Sequence, residues 1–321
     1  MRRMTMRKSQ YLAAAIAATA ISATVTNTVS SAAYAKSPST TCPQVFGTNG
    51  QPSLTASTYA SRTQFICYRR YAVQTSAMTR TALWSAEHLT AQAVLAARTV
   101  PRDSEFYEEA EIPAADRARL SDYCRSTGLD RGHLAPSGDF PDQASQAESF
   151  RLANVVPQAS ASNRRLWSHI ETSTRRMVRE YGQAFVVTGP AFDAQQAARL
   201  NGRISIPTYL WKAVYVPGMG AAAYVARNDA TPSYAVVSIT ELAGFAGVDP
   251  FPRLDKAYRD IPMTLLAPTP HPGEKTGRKV SLATLTGTAV DRSALPEAQS
   301  PRQATRQPGA IAFALAAFNP Q

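Results

Sequence analysis

Between residues 67 and 240 the apolar positions fall into short stretches bounded by turn residues, the signature of strands. "CYRRYAVQTS" (67–76) reads as a strand, and "ALWSAEHLT" (82–90) as a strand or a short helix. "AFVVTGP" (184–190) is a buried-type strand closed by a Gly-Pro turn. "IPTYLWKAVYVPG" (206–218) and "AAAYVARND" (221–229) read as strands paired around a Pro-Gly turn, followed by the strand "SYAVVSIT" (233–240). One stretch has the helical period instead. In "NRRLWSHIETSTRRMVREYG" (163–182), Leu166, Ile170 and Met177 share a face, with Arg165, Arg176 and Arg179 opposite. "ITELAGFAGVDPFP" (239–252) predicts a short helix and a turn.

Outside this body the pattern changes. Residues 36–64 are rich in Ser, Thr, Gly and Pro and read as a flexible leader, and "SEFYEEAEIP" (104–113) reads as an acidic loop. From about 264 the periodicity stops, so 263–321 is expected to be a Pro/Ala-rich tail, with the apolar stretch 310–318 short enough only to dock. The body, 65–262, is expected to be one mixed α+β domain.

The N-terminus has the layout of a targeting segment. "MRRMTMRK" is a basic region, residues 11–29 are an Ala-rich apolar run, and Ala33-Tyr34-Ala35 offers a cleavage site, so 1–35 is expected to be a signal peptide. The apolar run is broken by Thr and Ser, which makes it a poor permanent span; an uncleaved anchor is the alternative reading. The Arg2-Arg3 pair lacks the apolar residues of a twin-arginine signal, which favours general export to the periplasm or the medium. Export permits a disulfide. Of the three cysteines, Cys42 and Cys67 lie in the same N-terminal region and form the expected pair, which leaves Cys124 as the odd thiol.

Charge narrows the function. The chain carries a net +11, and +7 remains once Arg2, Arg3, Arg7 and Lys8 leave with the signal segment. A solubilising surface accounts for such a charge, and so does an anionic partner such as nucleic acid.

The candidate chemistry lies in two places. In "DRGHLAPSGD" (130–139), His133 is one of only four histidines. Imidazole suits a general base near neutral pH, Gly132 permits close backbone approach or positive φ, and Pro136 stiffens the segment after it. Alone, "GH" reads as a loop histidine. Thirty residues on, Asn163 falls in the apolar sector of its helix when projected at about 100° per residue. A buried carboxamide needs a partner, so Asn163 caps the helix or ligates a hard cation through its oxygen. Glu171 lies two turns further, about 12 Å along an α-helix axis, too far for both to touch one small cation, so Glu171 is expected to act through water. Arg175 either bridges Glu171 or holds phosphate. Arg102 and Arg131 are further guanidinium candidates. This set fits phosphodiester cleavage. The sequence shows neither the Cys/His clusters of a zinc site nor a P-loop.

"DRGHLAP" followed by "ANVVPQASASNRRLWSHIE", with "LWSAEHLT", "VVTGP", "IPTYLWKAVY" and "GVDPFP" in order, resembles the DNA/RNA non-specific endonuclease family, which includes mitochondrial endonuclease G and secreted bacterial nucleases. The likeness covers about 65–260. It implies a ββα-metal (His-Me finger) core on a mainly antiparallel sheet. His133 would be the general base, Asn163 the ligand of one Mg²⁺ (Mn²⁺ as a substitute), and Glu171 the holder of its water. Arg175 would support the transition state and Arg131 matches the motif arginine. Arg102 would contact phosphate. Asn154 and Gln158 match the family's N-V-x-P-Q segment and are grouped with substrate binding, more by shaping the site than by chemistry. The implied activity is hydrolysis of DNA and RNA to 5′-phosphate ends. A homodimer is the partner that the family implies, and a protein inhibitor is the partner expected of the toxin-type rival. Two rivals are a secreted DNA-binding or uptake protein that holds DNA without cutting it, and a toxin-type effector nuclease.

Overall fold

The computed structural model describes residues 42–102, 105–124, 128–193 and 198–288. The expected signal segment and the apolar stretch 310–318 lie outside the described residues.

The main sheet opens with two hairpin-linked strands, β1 (Thr63–Cys67) and β2 (Tyr71–Ser76), then the long β3 (Thr81–Thr90), which leads into the helix α1 (Ala91–Ala97). The segment "ALWSAEHLT" is thus strand; helix begins only where Thr90 caps Ala93 N–H. A small antiparallel pair, β4 (Leu129–His133) and β5 (Val155–Ala159), feeds the helix α2 (Ser168–Tyr181). The strands β6 (Gln183–Ala191), β7 (Tyr209–Val216), β8 (Gly220–Arg227) and β9 (Ser233–Val237) come next, then α3 (Ile239–Ala246), the short β10 (Arg278–Lys279) and α4 (Leu282–Thr286). The main sheet has eight strands in the order β10-β9-β8-β7-β6-β3-β2-β1, antiparallel except for the β9/β10 edge. The α+β class and the ββα unit expected from the sequence are present.

The sheet is covered on both faces, so its central strands are buried almost throughout. Alternation sorts their side chains. Leu210, Val214 and Tyr224 join Trp167, Ile170 and Met177 of the helical layer in one core. Trp211, Ala213 and Val225 face the other core with Trp84, Leu242 and Phe251. All three tryptophans are fully buried, and truncating any one costs about 3–5 kcal/mol. Trp211 sits opposite Gly189 in the register, and a Cβ there would strike its ring and the Leu83 carbonyl.

The folded body is wider than the 65–262 read from periodicity. Val45 and Phe46 of the supposed leader are buried against Trp84, and Ser53–Leu54 pairs with Val248–Asp249. Of the supposed tail, Leu265 and Leu285 are buried and β10 extends the sheet beside β9. These segments bury isolated apolar residues, which carry no period to detect. Cys42 and Cys67 form a disulfide with Cα atoms 5.8 Å apart, and Cys124 is free and exposed.

The expected helix over 163–182 is interrupted. Helical backbone starts at Ser160, Asn163–Trp167 forms a π turn, and α-helix resumes at Ser168. Asn163 is therefore inside the helical run and does not cap it. The widened turn also shifts the 100° projection used to place it.

Candidate active site

His133 ends β4, opposite Val155 on β5. Gly132 makes that pairing close. It has no positive φ; a Cβ on it would collide with the Gln158 side chain beneath. Close approach, not turn geometry, is the reason for glycine here. The His133 ring is boxed by Phe150, edge-on at 4.8 Å, and Phe106 at 5.3 Å. Its Nε2 is buried with no hydrogen-bond partner among the described residues. Burial first, and then the Arg102 and Arg131 charges, push its pKa down to about 3. The imidazole is thus neutral at physiological pH, the form a base requires.

The two arginines are held beside it by the same aromatic rings. Arg131 lies over Phe106 at 4.2 Å, and Arg102 lies 5.5 Å from the Phe150 centroid while donating to Ser137 Oγ at 3.0 Å. Both are exposed, so two cations flank the base and face solvent.

Asp130 was missed in the sequence, although it opens the DRGH stretch. It accepts from Ser160 Oγ at 2.8 Å, from Asn163 Nδ2 at 2.9 Å, and from Arg164 through two nitrogens at 2.7 and 2.9 Å. Burial alone would raise its pKa; the hydrogen bonds from Arg164, Asn163 and Ser160 outweigh it and hold the carboxyl below the usual range. This contact decides which way the Asn163 amide faces. A carboxylate takes only donors, so the NH₂ points at Asp130 and the carbonyl oxygen is left with no hydrogen bond among the described residues.

Glu171 is half-buried and makes no hydrogen bond or salt bridge among the described residues. Burial raises its pKa, opposed by Arg175 and Lys212 and assisted by Asp139. Arg175 does not bridge Glu171 as the helical spacing allowed. It donates instead to the buried Asp139 at 2.9 Å and to Thr172 Oγ1 at 3.3 Å. Burial opposes its charge, but Asp139 and Glu171 more than compensate.

Asn154 and Gln158, grouped with substrate binding, are both fully buried, which suits side chains that shape the site. Asn154 receives Ser85 Oγ and Ala135 N–H, and donates to the Ala135 and Ser149 carbonyls, at 2.8–3.0 Å. With every hydrogen-bonding valence used, it staples the turn after His133. Gln158 is the floor under Gly132, its amide atoms without partners among the described residues.

Under the helix lies a polar row that sequence reasoning also missed. Ser85, Thr188 and Lys212 are register neighbours across β3, β6 and β7, and Glu87 is two residues along β3. Lys212 is buried and donates to Thr188 Oγ1 at 2.6 Å. Glu87 is buried, and desolvation, reinforced by Asp139, raises its pKa well above the carboxylate range, with Lys212 opposing. The available signal was charge at positions that alternation assigns to the helix-covered face.

The donors fit a hard divalent cation: a free amide oxygen fixed by its own NH₂ contact, and a carboxylate without a cationic partner in hydrogen-bond range. Residues 41–257 match the family model of the DNA/RNA non-specific endonucleases. The chain belongs to that family. Its members are metal-dependent nucleases, and by family the chain is a nucleic-acid hydrolase. Nuclease C1 of Cunninghamella echinulata var. echinulata is 32% identical over 193 residues, 56% of this chain and 76% of that protein. The mitochondrial nuclease of Saccharomyces cerevisiae is 39% identical over 137 residues, covering 41% and 39% of the two chains. Human mitochondrial endonuclease G is 31% identical over 153 residues, covering 44% and 51%. The solved structure of an EndoG/EndoGI complex shares the fold, with a TM-score of 0.57 at 24% identity over 67% of this chain and 93% of that one. Among the described residues, no helix of this endonuclease is long and apolar enough to cross a membrane.

Proposed function

We propose that the protein is an exported endonuclease that hydrolyses DNA and RNA to 5′-phosphate ends, with His133 as general base. The observation that carries this reading is the neutral, unpartnered His133 between two solvent-facing arginines, with the Asn163 oxygen left open by Asp130. Export is supported by the basic, apolar and A-x-A order of residues 1–35 and by the Cys42–Cys67 disulfide.

Arg102 and Arg131 attract the phosphodiester and spread its charge. Their neutralisation by the bound phosphate removes the cationic field that depresses His133, so its basicity rises when substrate arrives. His133 takes a proton from water, whose oxygen attacks phosphorus in line. The bond to the 3′ oxygen breaks, and that oxygen takes a proton from solvent. Arg175, held by Asp139, stabilises the added negative charge on the phosphoryl oxygens. Glu171 accepts a hydrogen bond from water at the site and so orients it. A divalent cation at Asn163, Mg²⁺ with Mn²⁺ as a substitute, supplies Lewis-acid stabilisation of the phosphate when bound. Recognition through phosphates carries no base information, consistent with low sequence preference.

The test is degradation of plasmid, single-stranded DNA and RNA with Mg²⁺, with EDTA and at rising salt. The expected result is cleavage of all three that EDTA abolishes and salt suppresses. EDTA-insensitive binding without cleavage would overturn the reading in favour of a DNA-holding protein.

A further inference from the structure

Two of the four histidines meet on the opposite side of the catalytic helix. His169, on α2, is buried, and its Nε2 lies 2.6 Å from Glu274 Oε2. The His271 ring stands edge-on to it at 4.9 Å. One ligand atom from each of His169, His271 and Glu274 lies within 4.8 Å of the other two. His271 and Glu274 are brought together by a turn in which the Glu274 N–H donates to the His271 carbonyl at 2.9 Å.

The turn is held in place by its own strap of chain. Ser173 Oγ donates to the Ala267 carbonyl at 2.8 Å and accepts the Thr269 N–H at 2.9 Å. Arg176 donates to Thr269 Oγ1 at 2.8 Å, and Ser168 Oγ pairs with His271 Nε2 at 3.0 Å. The three donors are therefore presented by backbone anchored on both sides. A cavity of about 440 Å³ borders His169 and Glu274, leaving room for a further ligand or water.

We propose that His169, His271 and Glu274 bind a divalent transition metal of the Zn²⁺ class, at a site separate from the hard-cation site at Asn163. Two imidazoles and a carboxylate are the donor set that such metals take in sites with one open position. Mg²⁺ prefers all-oxygen surroundings and is a poor fit. Ligand atoms about 2.0–2.2 Å from a tetrahedral ion are about 3.4 Å apart, so a sub-ångström opening of the His169–Glu274 contact admits the ion. The metal takes the place of that direct contact, and of the His271 N–H bond to His169 Nε2, and clips the strap 264–277 onto α2. The sequence hides this set because 102 residues separate His169 from its nearest partner in the chain, His271.

The test uses the untagged full chain carrying His133→Ala and Asn163→Ala, so that the other site cannot supply the ligands. Equilibrium dialysis counts bound Zn²⁺, and the visible bands of Co²⁺ report imidazole coordination. The expected result is one Zn²⁺ per chain in the micromolar range, undisturbed by millimolar Mg²⁺. His271→Ala and Glu274→Gln, both at exposed positions that leave the core intact, are each expected to weaken binding at least tenfold. Absence of stoichiometric Zn²⁺ binding would overturn the proposal. So would binding that survives both substitutions unchanged.

Discussion

His133 and His169 are similarly withdrawn from water, yet their surroundings are opposite. His133 has aromatic walls, two arginines and a buried nitrogen with no partner among the described residues. His169 has a carboxylate at hydrogen-bond distance and a second imidazole across from it. Burial of a polar group without a partner costs stability, so it persists where the group is used by something that arrives later. A buried imidazole with a carboxylate already beside it is set up to hold position or a metal. The same residue type thus serves two ends, and the neighbours decide which.

The widest separation is expected in plasmid cleavage. His133→Ala should lower the rate by about 10²–10⁴-fold, the usual contribution of a general base. His271→Ala should leave Mg²⁺-supported cleavage within about twofold. A large loss in both would erase the distinction between the two histidines.

Asp130→Ala comes next. It frees the Asn163 amide to rotate, and loss of such a supporting contact typically costs about 10–100-fold in metal affinity or activity. A Mg²⁺ titration of cleavage should shift to higher concentration; an unshifted curve would remove Asp130 from the site.

Gly132→Ala tests the floor beneath His133. The added methyl must displace Gln158 and should cost about 1–3 kcal/mol in urea unfolding. Gln158→Ala in the same chain should recover part of that loss, which a mere conformational effect of alanine would not allow.

The last comparison is of stability against pH. The folded-state pKa of His133 is depressed from 6.5 to about 3, by burial first and then by Arg102 and Arg131. Between those values the unfolded chain binds the proton more readily, so stability present above pH 6.5 is lost as pH falls toward 3. The melting temperature of His133→Ala should fall less steeply across that window than that of the parent chain.

Much of the site was readable because its parts are local. The strand spacing of "SYAVVSIT", the DRGH stretch and the asparagine thirty residues later are all visible in one dimension. Asp130 was overlooked because its partners, Asn163 and Arg164, are 33 and 34 residues away. Lys212 was overlooked because alternation tells which face a residue takes and not what covers that face. Residues 263–288 were read as tail because Leu265 and Leu285 bury singly, without a repeating partner.

The sequence by itself determined the run of strands between 184 and 237 and the helical stretch before it, the basic balance and the residues able to carry nucleic-acid chemistry, since periodicity, charge and side-chain type are properties of neighbours in the chain. Only the tertiary structure decided that Asn163 turns its oxygen outward, that Gly132 is there for Gln158, and that His169 meets His271 and Glu274. Each of these depends on contacts between segments far apart in the chain, where packing and hydrogen-bond directionality, rather than local pattern, select the arrangement.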